Sequence, residues 1–148
     1  HYSEQTIYWG WEPDVLYEES LTLYKTGRTN ANDGGIDFVM KPLGRFFQVT
    51  ETTDVSKYFL DIDKVMHYPI TFVIKSEQTI EELRTAIQTQ AEHLYPVKVI
   101  QDKYMTAIEE IINIPQLVKL INQQLEVGHL NVIIDEILLH SKVEFHYS

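Results

Sequence analysis

The most constraining stretch runs from Ile36 to Glu51, where two short apolar runs are separated only by Pro42-Leu43-Gly44. Apolar runs this close, with a glycine in the connection, leave little alternative to a β-hairpin. Strand alternation puts Ile36 and Phe38 on one face, and Asp37 and Val39 on the other. In the second run Phe46, Gln48 and Thr50 share a face, while Phe47, Val49 and Glu51 share the opposite one. The polar segment Asn30-Ala31-Asn32-Asp33-Gly34-Gly35 reads as the turn that leads into the first strand. Asp33 already serves that turn, whereas Asp37 sits inside the apolar run, where an unpaired carboxylate is costly. Two neighbouring strands that each present carboxylate or amide oxygens can line a site for a hard divalent cation. Asp37, with Gln48 or Glu51, is the candidate.

The flanking segments extend the pattern. Thr53-Asp54-Val55-Ser56 offers capping oxygens for a helix over roughly 57–67, with Tyr58, Ile62, Val65 and Met66 at helical spacing. Tyr68-Pro69 breaks that helix, and Ile70-Thr71-Phe72-Val73-Ile74 reads as a buried strand of the parallel kind. Strand, helix and strand then form a right-handed βαβ unit. Upstream, Pro13-Asp14 and the residues through Tyr24 predict a leading helix closed by Gly27. The aromatic segment His1–Trp11 is expected to pack across the domain as a loop or short strand. The expected class is therefore α/β, a small mixed sheet in the order helix, strand, strand, helix, strand, with a mainly helical C-terminal half.

In that second half Thr79 and Glu82 form a capping box. Ile80, Leu83, Ile87, Ala91 and Leu94 trace an amphipathic stripe behind it. Val97–Ile100 reads as an edge strand, Met105 to Ile112 as a helix, and Pro115 as the restart of a helix through Leu125. Gly128 stops that helix, a further one spans Leu130–Leu138, and Val143–Tyr147 resembles a strand. Residues 1–100 are expected to form the core, and 101–148 a helical extension packed on the same domain. The start at His1 and the strand-like end suggest a piece of a longer protein.

Charge and composition narrow the function. The formal net charge is −10, which argues against a protein that coats nucleic acid nonspecifically. Lys25, Arg28, Lys41, Arg45, Lys57 and Lys64 nevertheless cluster around the hairpin. The absence of cysteine excludes disulfides and thiolate chemistry, and fits a cytoplasmic setting. No apolar run approaches the ~20 residues of a membrane span. The six histidines are scattered without a pair at metal-ligand spacing. Asp61 and Asp63 on the second helix are expected to be exposed.

At the hairpin the chain resembles the PD-(D/E)xK nuclease superfamily, and within it the Mrr-like restriction endonucleases. The resembling residues are Tyr17-Glu18, Asp33-Gly34-Gly35-Ile36-Asp37-Phe38 and Phe47-Gln48-Val49, within roughly residues 13–75. The resemblance implies a restriction-endonuclease-like core that cleaves DNA phosphodiesters with Mg²⁺ or Mn²⁺. Carried over, Glu18 is the helix acid, Asp37 the metal aspartate, and Gln48 or Glu51 the second-strand ligand. The lysine expected two places further is Thr50 in one register and Thr53 in the other, so the pattern fails there. Lys57, on the next helix, is the candidate displaced lysine. The alternative is a catalytically inactive nuclease-like domain that binds DNA or a protein. Its partners would be DNA, a second copy, or further domains of a longer chain.

Overall fold

A computed structural model describes residues 6–12, 14–26, 36–51 and 54–145. Its centre is a five-stranded mixed sheet in the order β3-β4-β5-β6-β7. The strands are β3 (Thr22–Lys25), β4 (Phe38–Lys41), β5 (Arg45–Thr50), β6 (Ile70–Ile74) and β7 (Ile108–Ile112). The first three form an antiparallel meander, and β6 and β7 add in parallel. The expected hairpin is present, with Phe38 opposite Phe47 and Val39 opposite Phe46. Gly44 sits in its turn at φ +70°, a backbone that glycine adopts without steric cost.

Three helices make the two parallel crossovers. Helix α1 (Ser56–Lys64) joins β5 to β6, while α2 (Ile80–Leu94) and α3 (Lys98–Ala107) join β6 to β7. Phe59 and Ile62 of α1, Ile87 and Ala91 of α2, and Tyr104 and Ala107 of α3 close on Ile70 and Phe72 to form the main core. The capping box forms as expected: Thr79 Oγ1 accepts from Glu82 N at 3.2 Å, and Glu82 Oε2 accepts from Thr79 N at 2.8 Å. A smaller core of Leu21, Met40 and Phe47, flanked by Ile7 and Phe38, lies apart from it.

The predicted leading helix is absent, and its residues form strands. Antiparallel strands β1 (Thr6–Glu12) and β2 (Val15–Ser20) make a separate hairpin. Trp9 stacks on Tyr17 with ring centroids 4.9 Å apart, and its Nε1 donates to Glu19 Oε2 at 3.3 Å. Cross-strand aromatic pairing is available only to the extended form, and it overrides the helix-start signal of Pro13-Asp14. Gly10 permits the hairpin, since a Cβ there would lie 1.9 Å from the Val15 carbonyl oxygen.

Two further segments exchange roles. Val97 is the N-cap of α3, not part of a strand, because Gln101, Tyr104 and Ala107 bury one side of a helix there. Ile108–Ile112 was expected to be helical, but it pairs with the open edge of β6 and buries Ile108, Ile111 and Ile112. The helical extension therefore begins only after β7. It comprises α4 (Ile114–Glu126), capped by Asn113, and α5 (Leu130–Phe145), which takes in the predicted strand as far as Phe145. Gly128 lies between them at φ +87°. The turn over residues 30–35 and the end after Phe145 fall outside the described residues.

Candidate functional site

Asp37 stands immediately before β4 and is tied to β5 on both sides of Gln48. Its N–H donates to the Phe47 carbonyl at 3.2 Å, and its Oδ2 accepts from the Val49 N–H at 2.7 Å. The Asp37 carboxylate thus continues the ladder where the strands separate. Gln48 shares the face of Phe46, which packs against the core beneath the helices. Its Oε1 is buried and accepts no hydrogen bond from the described residues. A buried amide oxygen without a donor loses its hydration uncompensated, so such an atom needs an explanation.

Helix α1 brings a second carboxylate to this region. Asp61, expected to be exposed, is buried at 9% relative exposure. Burial raises its carboxyl above the ordinary value, the negative charge of Asp37 adds to the rise, and Lys64 opposes it. Lys64 Nζ lies 2.8 Å from Asp61 Oδ1. The influence of Asp37 places the two aspartates in one electrostatic neighbourhood. Helical spacing could have found Asp61, because it follows Tyr58 by three residues and precedes Val65 by four, on the buried stripe. Asp63 is instead half-exposed and accepts from the Tyr104 hydroxyl at 2.9 Å.

The other candidates fall as follows. Lys57 is exposed on α1, one turn before Asp61 and two before Lys64 on the same helical face. Glu51 is held on the β6 side, with its Oε2 2.8 Å from Lys75 Nζ. That lysine lowers the Glu51 carboxyl below its usual range. Glu18 lies on strand β2 and not on the expected helix, and is exposed opposite Tyr8 in the separate hairpin. Asp37 is tied to β5 on either side of Gln48, and its charge reaches Asp61 on α1, whereas Glu51 pairs with Lys75 and Glu18 lies in the separate hairpin.

The basic cluster read from the sequence is partly structural. Arg45 is bound by Glu109 at 2.8 Å and Glu110 at 3.0 Å, and it donates to Thr71 Oγ1 at 3.1 Å. It ties β5 to β7 across β6. Lys41 Nζ stands over the Tyr24 ring, 4.7 Å from its centroid. Of the α1 lysines, Lys64 pairs with Asp61 and Lys57 is exposed.

Among the described residues, no three His, Asp or Glu side chains form a group able to hold a metal by themselves. Asp37 and the orphaned Gln48 oxygen are hard donors. Oxygens of this kind are the donors that a magnesium-type ion takes, commonly one or two from the protein with water and phosphate completing its shell. Among the described residues, no helix is long and apolar enough to cross a membrane. The chain matches no protein-family model, no curated protein and no solved structure.

Proposed function

We propose that this chain is a metal-dependent nuclease domain that hydrolyses DNA phosphodiester bonds at Asp37 and Gln48. The observation that carries the reading is Gln48, which lies between the two residues of β5 that Asp37 binds and whose buried Oε1 has no partner among the described residues. Strand, strand, helix and strand from β4 to β6 follow the last four elements of the order that the PD-(D/E)xK resemblance implies, without its leading helix.

Asp37 and Gln48 would hold Mg²⁺ or Mn²⁺. The bound ion supplies charge against the phosphate and acidifies water. Asp37 is fixed by Val49 N–H, so its second oxygen keeps a set direction and loses little freedom on binding. On this reading Asp61, whose carboxyl burial raises above its ordinary value, would accept a proton near the reacting phosphate. Lys57 supplies positive charge from the helix in place of the strand lysine, while Lys64 steadies Asp61. Glu51, ion-paired with Lys75, has no part on this reading.

Cleavage of plasmid and oligonucleotide DNA with Mg²⁺ or Mn²⁺ tests this. Asp37→Asn and Gln48→Leu should each reduce the rate by at least about a hundredfold, on the scale of removing a main electrostatic contribution. Wild-type cleavage that persists in both variants would refute the site.

One observation favours a second reading, a nuclease-like domain that binds without cutting. Strand β5 carries Thr50 where the lysine belongs, and Lys75 is taken by Glu51. On that reading Asp37 remains as a ladder cap, and DNA, a protein partner or a second copy is bound without hydrolysis.

A further inference from the structure

A cavity of about 320 Å³ is lined by Thr26, Ile36, Phe46, Lys64, Met66 and Tyr68 among others, so that its wall includes the chain neighbour of Asp37 and the ion-pair partner of Asp61. We infer that it is a stacking pocket for a single unpaired nucleobase of the DNA strand held at Asp37. The inference rests on the phosphodiester reading of that site and adds the strandedness of the substrate.

The walls suit a flat aromatic ligand. Tyr68 and Phe46 meet edge to face, with centroids 6.4 Å apart. Tyr68 remains 57% exposed and Met66 76% exposed, so a large ring and a polarizable thioether face solvent at the rim. Stacking on an aromatic face, with sulfur alongside, is how a base is bound regardless of its identity.

The turn that carries these groups is held against its own preference. Met66 and His67 adopt φ +51° and +61°, the left-handed region disfavoured for residues with side chains. Three backbone bonds fix it: Met66 N to Asp63 O at 2.9 Å, His67 N to Ile62 O at 3.0 Å, and Tyr68 N to Val65 O at 2.9 Å. The rim is preset.

The occupant follows from position and charge. Ile36, on the pocket wall, immediately precedes Asp37 in the chain. Lys64, on the same wall, is the partner of Asp61, which feels the charge of Asp37. A phosphate at Asp37 would therefore set the neighbouring base beside Tyr68, with Lys64 near the backbone. An apolar peptide side chain could fill such walls, but it has no use for the adjoining phosphate site. A paired base cannot enter, so the pocket selects single strands, frayed ends or flipped bases.

The test is a fluorescence titration with an oligonucleotide that carries one 2-aminopurine, with Ca²⁺ in place of Mg²⁺. The expected results are quenching by the wild type and affinity kept by Tyr68→Phe. Tyr68→Ala should lose about tenfold, within the range for one stacked base. Tyr68 is exposed, and a thermal melt verifies that each variant folds. Unchanged affinity in Tyr68→Ala, equal binding of blunt duplex, or no oligonucleotide binding would overturn the pocket. So would binding of N-acetyl-tryptophanamide without Tyr68-dependent oligonucleotide binding. Cleavage lost in Asp37→Asn, together with Tyr68→Ala binding as wild type, would refute the pocket and keep the nuclease. Tyr68-dependent binding without cleavage by the wild type would do the reverse.

Discussion

The sheet with α1–α3 and the pair α4–α5 are built from similar residues and differ in what those residues touch. In the first region Phe59, Ile62, Ile70, Phe72, Ile87 and Ala91 are all at 1% exposure or less. In the second, α4 has no buried residue, and Leu117, Ile121, Leu130, Ile137 and Leu139 are each 40–60% exposed. An amphipathic stripe marks a helix that can bury a face, and tertiary partners determine whether it does. The sheet edges and crossovers supply such partners to α1–α3. The comparison locates the stability of the described chain in the sheet and its three crossover helices.

The strongest way to break the comparison is paired truncation. Phe72→Ala should cost about 3–5 kcal/mol, the usual range for a fully buried aromatic, whereas Ile137→Ala on α5 should stay within about 0.5 kcal/mol. Urea unfolding of both measures the contrast. A large cost at Ile137 would show that α5 is covered in solution.

Arg45→Ala comes next, because it removes the ties from β5 to Thr71, Glu109 and Glu110. Arg45 is itself 15% exposed and its acidic partners are partly exposed, so the expected loss is about 2 kcal/mol. Loss of less than about 0.5 kcal/mol would mean that the ties are surface contacts only. Thr79→Ala tests the local contribution of a cap to α2, with an expected cost of about 1 kcal/mol.

The smallest effect concerns pH. Burial first, and then Asp37, raise the Asp61 carboxyl above its ordinary 3.8. The folded state therefore binds that proton more tightly than the unfolded state does. The resulting contribution to stability declines as pH rises from about 3.8 through the raised pKa, and is constant above it. Relative to the wild type, Asp61→Asn should remove that decline. Parallel stability profiles for the two proteins would show that Asp61 is not desolvated.

The parts of the fold legible in the sequence are those whose local and tertiary demands agree. Ile70–Ile74 is apolar at every position except Thr71 and lies between two parallel strands. Thr79 and Glu82 satisfy each other through contacts only three residues apart. The Phe46/Phe47 alternation divides the hairpin between two cores. Local pattern misleads where a distant partner decides the outcome. Ile108-Glu109-Glu110-Ile111-Ile112 has helical spacing, but the free edge of β6 makes it a strand. Residues 15–20 follow the helix-start signal of Pro13-Asp14, but stacking of Trp9 on Tyr17 makes them extended. At the candidate site, strand alternation was enough to put Gln48 on the face of Phe46. Lys75 lies beyond the next strand, so its hold on Glu51 could not be read locally. Asp61 was legible from its stripe, yet its charge suggested solvent.

The central claim is that Asp37 and Gln48 form a cation site that supports phosphodiester cleavage. The most direct measurement is cleavage of a labelled oligonucleotide across a Mn²⁺ titration, with wild type and Asp37→Asn compared at equal folded concentration. The account predicts metal-dependent cleavage by the wild type, and at least about a hundredfold less by Asp37→Asn. Metal-independent cleavage, cleavage that Asp37→Asn retains, or no cleavage by a folded wild-type chain would contradict it.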